Sequence, residues 1–229
     1  MHWLESWLLP PKCVLTGELT GELTGDKDIS SKLVNRWPVP KKVCLQCCEP
    51  TSDSLLCGVC LANPPAFERT QVGFYFDEEL VDLIHGLKYQ SKPAYARILA
   101  ELLADKLDLA GVEAIVAVPL YLTRFRDRGF NQAELIAESL AKVLNIPLIK
   151  QAVSRVKDTP SQTHLNARQR RSNLKNAFEV SADRFADYKN VALLDDVITT
   201  GATMESLAHN IKKQTSVETI QAWAVAKTK

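Results

Sequence analysis

An α/β fold is what this sequence predicts: a doubly wound, mostly parallel sheet, with a small cysteine-bearing module in front of it. Two observations carry that expectation. All six cysteines of the 229-residue chain lie at or before Cys60, and seven of its eleven prolines lie at or before Pro65. Beyond that point, apolar strand-like runs alternate with segments whose apolar residues recur at three- and four-residue spacing, so strands and helices come in turn. Consecutive prolines stop regular structure. Asn63-Pro64-Pro65 therefore marks the division between a module over 1–66 and a domain over 67–229.

Within the module, Thr16 to Gly25 reads TGELTGELTG, a tandem repeat whose glycines make it a loop without assigned chemistry. Cys44-Leu-Gln-Cys47 and Cys57-Gly-Val-Cys60 follow, two CxxC knuckles separated by nine residues. Each can direct two thiolates at one ion, and together they complete a tetrahedral, all-cysteine zinc site with no open position, hence structural zinc. A redox dithiol is the competing reading of such a motif. Cys48 is left spare or takes the place of Cys47. A segment this small has too little core to fold unaided, so the metal supplies much of its stability.

In the domain, Val72 to Phe76 reads as a strand. Leu80, Leu83, Ile84 and Leu87 mark a helix, and Ile98, Leu99, Leu102 and Leu103 mark another beginning near Pro93. Ile115 to Val118 is a buried strand. Asn131 opens a helix carrying Ile136, Leu140, Val143 and Leu144, and its spacing to Glu134 is that of a capping box. Leu148 to Val153, Val191 to Leu194 and Thr219 to Val225 are further strands, the last two flanking a helix with Met204, Leu207, Ala208 and Ile211. In such sheets ligands bind beyond the carboxyl ends of the strands.

Composition narrows the function. Lys and Arg total 28 against 27 Asp and Glu, a net charge of +1, so no global field favours nucleic acid or acidic lipid and any basic site is local. The opening MHWLESWLLPP does not read as a signal peptide, and apolar runs such as Ala114 to Leu120 fall short of the about 20 residues a span requires. The expectation is a cytosolic chain without membrane insertion, where cysteines hold metal rather than form disulfides.

The sharpest signal is Val191-Ala-Leu-Leu-Asp195-Asp196-Val-Ile-Thr199-Thr200-Gly201-Ala202-Thr203. A buried strand is expected to end at two carboxylates, with a Thr/Gly loop leading into a helix. Helix N-termini offer unpaired N–H groups to anions, Thr199, Thr200 and Thr203 add hydroxyls, and Gly201 lets backbone approach a ligand. Two carboxylates repel a bare phosphate but accept hydrogen bonds from a vicinal diol. Asp195 and Asp196 thus suit ribose hydroxyls and a ligand-borne Mg²⁺. Arg124, Arg126 and Arg128 crowd a short segment after the strand ending at Val118, where guanidinium groups match phosphate oxygens or simply make a solvated basic loop. From Ser154 to Asn176 there are six basic residues against one acid, Asp158. His164, in that stretch, has no carboxylate nearby to activate it.

The loop at Asp195 resembles the phosphoribosyl-diphosphate loop of the type I phosphoribosyltransferases, a likeness that covers roughly Phe67 to Lys229. More narrowly, three stretches resemble the ComF/GntX competence-protein family, and they occur in family order. They are Val118-Pro119 with Arg124 and Arg128-Gly129-Phe130-Asn131-Gln132, the span from Thr159 through Arg168, Arg171 and Asn173 to Ala177-Phe178, and the cysteine module. The resemblance implies a phosphoribosyltransferase-type domain binding phosphoribosyl diphosphate with Mg²⁺ through Asp195, Asp196, Thr199, Thr200, Gly201, Ala202 and Thr203. It places Arg124 and Arg128 on the diphosphate, and puts Arg168 and Arg171 on a basic lid as candidate catalytic residues. His85 and Lys88 resemble an element near the site entrance. Single-stranded DNA taken up in natural transformation and other competence proteins are the implied partners. A nucleotide-metabolism phosphoribosyltransferase and a non-catalytic adaptor that binds nucleic acid or a partner protein are the alternatives. Salvage relatives acting on 6-oxopurines place an acid where Thr199 stands, and Thr199 is no general base. ComF relatives often carry another cysteine pair near the start, where this chain has Cys13-Val-Leu-Thr16.

Overall fold

The computed structural model describes residues 12–20, 28–52, 55–90, 92–109, 111–157 and 177–228. Two short helices, α1 (Ser31–Val34) and α2 (Gly58–Ala62), precede β1 (Arg69–Tyr75), α3 (Glu78–Tyr89), α4 (Ala94–Ala104) and β2 (Ala114–Ala117). Then come α5 (Leu122–Arg128), α6 (Gln132–Leu144), the short strands β3 (Val153–Arg155) and β4 (Phe178–Val180), β5 (Asn190–Ile198), α7 (Ala202–Gln214) and β6 (Thr219–Lys227). Strands β1, β6, β5 and β2 lie in that order, and every pairing among them is parallel. Strands buried on both faces read as apolar runs, as Val191–Leu194 of β5 and Ala222–Ala226 of β6 do. One face packs Leu83, Leu99, Leu103, Ile136 and Leu140 of α3, α4 and α6 around Trp223. The other packs Met204, Leu207 and Ile211 of α7 with Phe178 and Phe185. Helices thus cover both faces of the sheet, which is the expected doubly wound α/β arrangement.

Local chemistry fixes the element ends. The Asp77 and Asn131 side chains accept from Glu79 N–H and Ala133 N–H and so cap α3 and α6. Gly86 lets α3 close on α4, since a Cβ there would lie 2.5 Å from the Tyr95 ring. Two expectations change. The run Leu148–Val153 gives only a single bridge, Leu148 to Ile115, because a left-handed Gln151 (φ 55°) interrupts it. Extended structure begins at Val153, in an antiparallel pair with β4. The basic segment after β2 is not a loop but the helix α5, which has no internal Gly or Pro and is ended by Gly129 at φ 80°.

The cysteine-bearing segment is an internal repeat. Around Cys44, the Cys44 N–H donates to Glu49 O (2.8 Å), the Cys48 N–H to Cys44 O (2.8 Å), and Val43 bridges Pro50. Around Cys13, the Cys13 N–H donates to Glu18 O (2.8 Å), the Gly17 N–H to Cys13 O (2.8 Å), and Lys12 bridges Leu19. Each hairpin then leads to a short helix, capped by Cys57 in one copy and Ser30 in the other. Positions Cys44, Cys47, Cys57 and Cys60 therefore correspond to Cys13, Thr16, Ser30 and Leu33. The first copy packs into the core: Cys13, Ile29, Leu33 and Trp37 are buried in the same cluster as α3 and α4. The segment also covers the open edge of β1, with the Thr70 N–H on Leu45 O (2.8 Å) and the Tyr75 N–H on Pro38 O (2.7 Å). Covering an edge in this way protects it from pairing with another chain.

Candidate functional site

β5 does not stop at its carboxylates but runs through Asp195 and Asp196 to Ile198. Successive strand residues project to opposite faces as a rule, yet the Asp195 and Asp196 carboxyls stay close enough to interact with each other. Asp196 is 4% exposed and ion-paired with Lys88 at the end of α3, which joins Lys88 to the site. Asp195 accepts the Asp196 N–H at Oδ1 (2.8 Å). Burial, together with the neighbouring Asp196, pushes the Asp195 carboxyl well above the usual range, and Lys88 pulls against that. Thr199 and Thr200 are exposed, and Gly201 takes φ 74° as the N-cap of α7 with no side chain capping it. Ala202, Thr203 and Met204 thus open a 13-residue helix whose first turn faces the loop. Glu205 in that turn accepts the Ala66 N–H (2.7 Å).

The segment after β2 reaches the same end of the sheet. The Val118 N–H donates to Leu194 O (2.9 Å), and the Asn131 side chain returns a bond to Val118 O (3.0 Å). There α5 begins, and Lys88, Tyr89, Arg124, Asp127 and Arg128 line a cavity of about 330 Å³. Arg128 donates to Gln132 Oε1 (3.0 Å) and lies 5.1 Å from the Tyr89 ring centre. His85 meets the same ring edge-on at 5.5 Å, a packing role. The structure thus brings Lys88, Arg124 and Arg128 together near Asp196. Arg168, Arg171 and His164 lie outside the described residues.

The four thiols of Cys44, Cys47, Cys57 and Cys60 all lie within 4.8 Å of one another, and Sγ of Cys47 and Cys57 are 3.6 Å apart. A tetrahedral zinc with bonds of about 2.3 Å needs sulfur atoms about 3.8 Å apart, so the donor set fits such an ion. Burial raises the Cys44 thiol, but N–H groups of Cys47, Cys57 and Gln46 outweigh it and bring it down to about 7. Burial pushes Cys47 up to about 11 and raises Cys60 as well. Divalent charge compensates such crowded thiolates. These four could hold a metal such as zinc. Among the described residues no other cluster of ligands has this geometry. Cys48 is not among the four and has a left-handed backbone at φ 58°, and burial pushes its thiol to about 11 against the pull of Lys227.

Sequence reasoning missed Lys227. Its side chain is 2% exposed, at the end of β6, and its ammonium donates to Glu49 Oε1 (2.8 Å) and to Thr199 O (3.0 Å). The available signal was a lysine closing the apolar run Ala-Trp-Ala-Val-Ala-Lys227, since buried lysines require partners.

No family model matches the chain. A competence protein F of Haemophilus influenzae is 41% identical over 182 residues, 75% of this chain and 78% of the relative. A DNA utilization protein of Salmonella typhimurium is 35% identical over 194 residues, 81% of this chain and 84% of the relative. Among solved structures, an adenine phosphoribosyltransferase from Thermoanaerobacter pseudethanolicus overlaps 60% of this chain and 83% of its own at a TM-score of 0.37 and 18% identity. No helix among the described residues is long and apolar enough to cross a membrane.

Proposed function

The chain belongs to the family of competence protein F, and from that premise we propose that it binds phosphoribosyl diphosphate between the Asp195–Thr203 loop and α5, in the service of handling single-stranded DNA. The observation that carries this reading is the cleft of Lys88, Arg124 and Arg128 beside a buried Asp196, at the carboxyl ends of β2 and β5. A diphosphate brings several negative charges, and two guanidiniums and an ammonium match them. The 5-phosphate takes the N-terminus of α7 at Gly201, Ala202 and Thr203, with hydroxyls from Thr199 and Thr200. Asp195 accepts from the ribose hydroxyls. Asp196, paired with Lys88, supports that cation and reaches Mg²⁺ carried by the diphosphate. Arg168 and Arg171 are assigned by resemblance to the lid that closes over the diphosphate. Zinc at Cys44, Cys47, Cys57 and Cys60 is structural in this reading, because four thiolates leave no open position. The division into a module over 1–66 and a domain over 67–229 goes with it.

Calorimetric titration with phosphoribosyl diphosphate, with and without Mg²⁺, tests the proposal. Binding strengthened by Mg²⁺ and weakened by Arg124→Ala is the expected result. Equal heats in the wild type and in Arg124→Ala would remove α5 from the site. Release of diphosphate in the presence of a nucleobase or amide acceptor would make the protein a transferase as well.

A specific observation supports the DNA part. α5 buries none of its residues, and Leu122, Phe125 (42% exposed) and Arg126 are exposed on it, as is Tyr89 (66% exposed) at the end of α3. Cations interleaved with an exposed aromatic ring, here Phe125, suit unpaired bases on a phosphate backbone. The contact surface is thus assigned to α5 as well as to the basic stretch over 154–176.

A further inference from the structure

We infer that Lys227 is a positioning residue that makes the sugar-phosphate loop depend on the metal-binding module. The inference rests on the reading of that loop as the phosphate site.

The geometry is a three-part relay. Glu49 lies two residues beyond Cys47, and its backbone carbonyl accepts from the Cys44 N–H (2.8 Å), so the knuckle fixes where Glu49 stands. Its carboxylate accepts from Lys227 Nζ at 2.8 Å, and the same ammonium donates to Thr199 O at 3.0 Å. Thr199 directly follows β5 and opens the loop that Gly201 closes at φ 74°. Lys227 itself cannot move far. The Phe76 N–H donates to its carbonyl (2.9 Å), and its Cα pairs with Tyr75 and with Ile198.

The arrangement has a defined logic. A carbonyl turned toward a buried ammonium fixes the peptide between Thr199 and Thr200, and with it the direction of the Thr200 N–H, which is on the opposite side of that planar unit. A buried ammonium is tolerated only when its partners are in place. Thr199 O alone gives it no opposite charge. Glu49 does, and the knuckle holds Glu49. An ordered knuckle therefore holds the loop in one conformation, and a disordered one releases Lys227 and the peptide it fixes. Between the two parts, Cys47, Glu49, Cys60, Phe67, Thr200 and Gly201 line a gap of about 290 Å³, and the Glu49–Lys227–Thr199 contacts link the knuckle to Thr199 by hydrogen bonds.

The full chain is tested as wild type, Lys227→Met and Glu49→Gln by metal analysis, hydrogen exchange of the peptide covering 198–206, and titration with phosphoribosyl diphosphate. Zinc content stays at the wild-type level in both variants. In Lys227→Met the loop exchanges faster and affinity falls, each by about tenfold, the equivalent of one hydrogen bond to a charged group. Chelating the zinc of the wild type speeds loop exchange to the same extent, but adds nothing at the loop in Lys227→Met. Equal acceleration by chelation in both proteins, or wild-type exchange in Lys227→Met, overturns the relay. Should Lys227→Met fail to fold, Glu49→Gln supplies the same comparison, because Glu49 is half exposed and removable without a cavity. A wild type that does not bind phosphoribosyl diphosphate overturns the reading of the loop, and the exchange comparison still decides the coupling.

Discussion

At Asp195 the fold carries a group that it would hold more easily without charge. Its carboxyl is pushed up by burial and by Asp196, whereas an unfolded aspartate titrates near about 3.9. The sign follows from linkage. A group whose folded pKa is raised contributes stability that is fully present below the unfolded pKa and lost as pH rises through the folded value. The ligand-free protein therefore loses stability on account of Asp195 as pH climbs out of the acid range. Asp195→Asn is neutral throughout and can still accept the Asp196 N–H. Its melting temperature should exceed the wild type's at pH 7.5, and the gap should close toward pH 4. The same variant should bind phosphoribosyl diphosphate more weakly by about 1–3 kcal/mol, because an amide cannot accept through both terminal atoms. A gain in stability with a loss of affinity marks a residue kept for its ligand. A variant melting below the wild type at pH 7.5 would show that the carboxylate serves the fold instead.

At the scale of elements, the two hairpins of the cysteine segment share one backbone and differ in what fills it. The residue after the second ligand position is left-handed in both, Gly17 in one copy and Cys48 in the other. Glycine suits that conformation, so Cys48→Gly should leave the metal stoichiometry unchanged, whereas Cys47→Ser should lose the ion. Metal analysis of the two variants decides it, and metal loss in Cys48→Gly would restore Cys48 as a ligand. This repeat was not legible in the sequence. Only Cys13 of its four ligand positions survives, and the loop before the second helix differs in length between copies. What was legible had a period: the apolar runs of β1, β2, β5 and β6, and the three- and four-residue spacing in α3, α4, α6 and α7. The cluster Cys44, Cys47, Cys57 and Cys60 was legible because spacing alone dictates where such thiols meet. α5 and the β3–β4 pair were not, since seven- and three-residue elements carry too few apolar positions to show a period. The Lys88–Asp196 and Lys227–Thr199 contacts join residues about a hundred and about thirty positions apart, and no local pattern encodes them.

For the molecule as a whole, a net charge of +1 means that attraction for any polyanion must come from one face. Among the described residues, that face is the end of the sheet where α5 meets α3. The same arginines that suit a diphosphate stand there beside Phe125 and Tyr89. Arg124 and Arg128 line the cleft, whereas Phe125 and Arg126 stand outside it. The two ligands should therefore compete, yet respond to different substitutions. Phosphoribosyl diphosphate with Mg²⁺, at saturating concentration, should weaken the binding of a fluorescent single-stranded oligonucleotide. Phe125→Ala should weaken the oligonucleotide by about 1–3 kcal/mol, the scale of one base stacked on an aromatic ring, and leave phosphoribosyl diphosphate unchanged. Arg124→Ala should weaken both. Oligonucleotide affinity should fall steeply with salt, because phosphate contacts release counterions. Anisotropy titrations at two salt concentrations, each with and without phosphoribosyl diphosphate, separate these effects. Simultaneous binding with no mutual effect would move the DNA surface away from α5, toward the basic stretch over 154–176. Loss of both ligands in Phe125→Ala would mean that the ring holds α5 in place rather than a base.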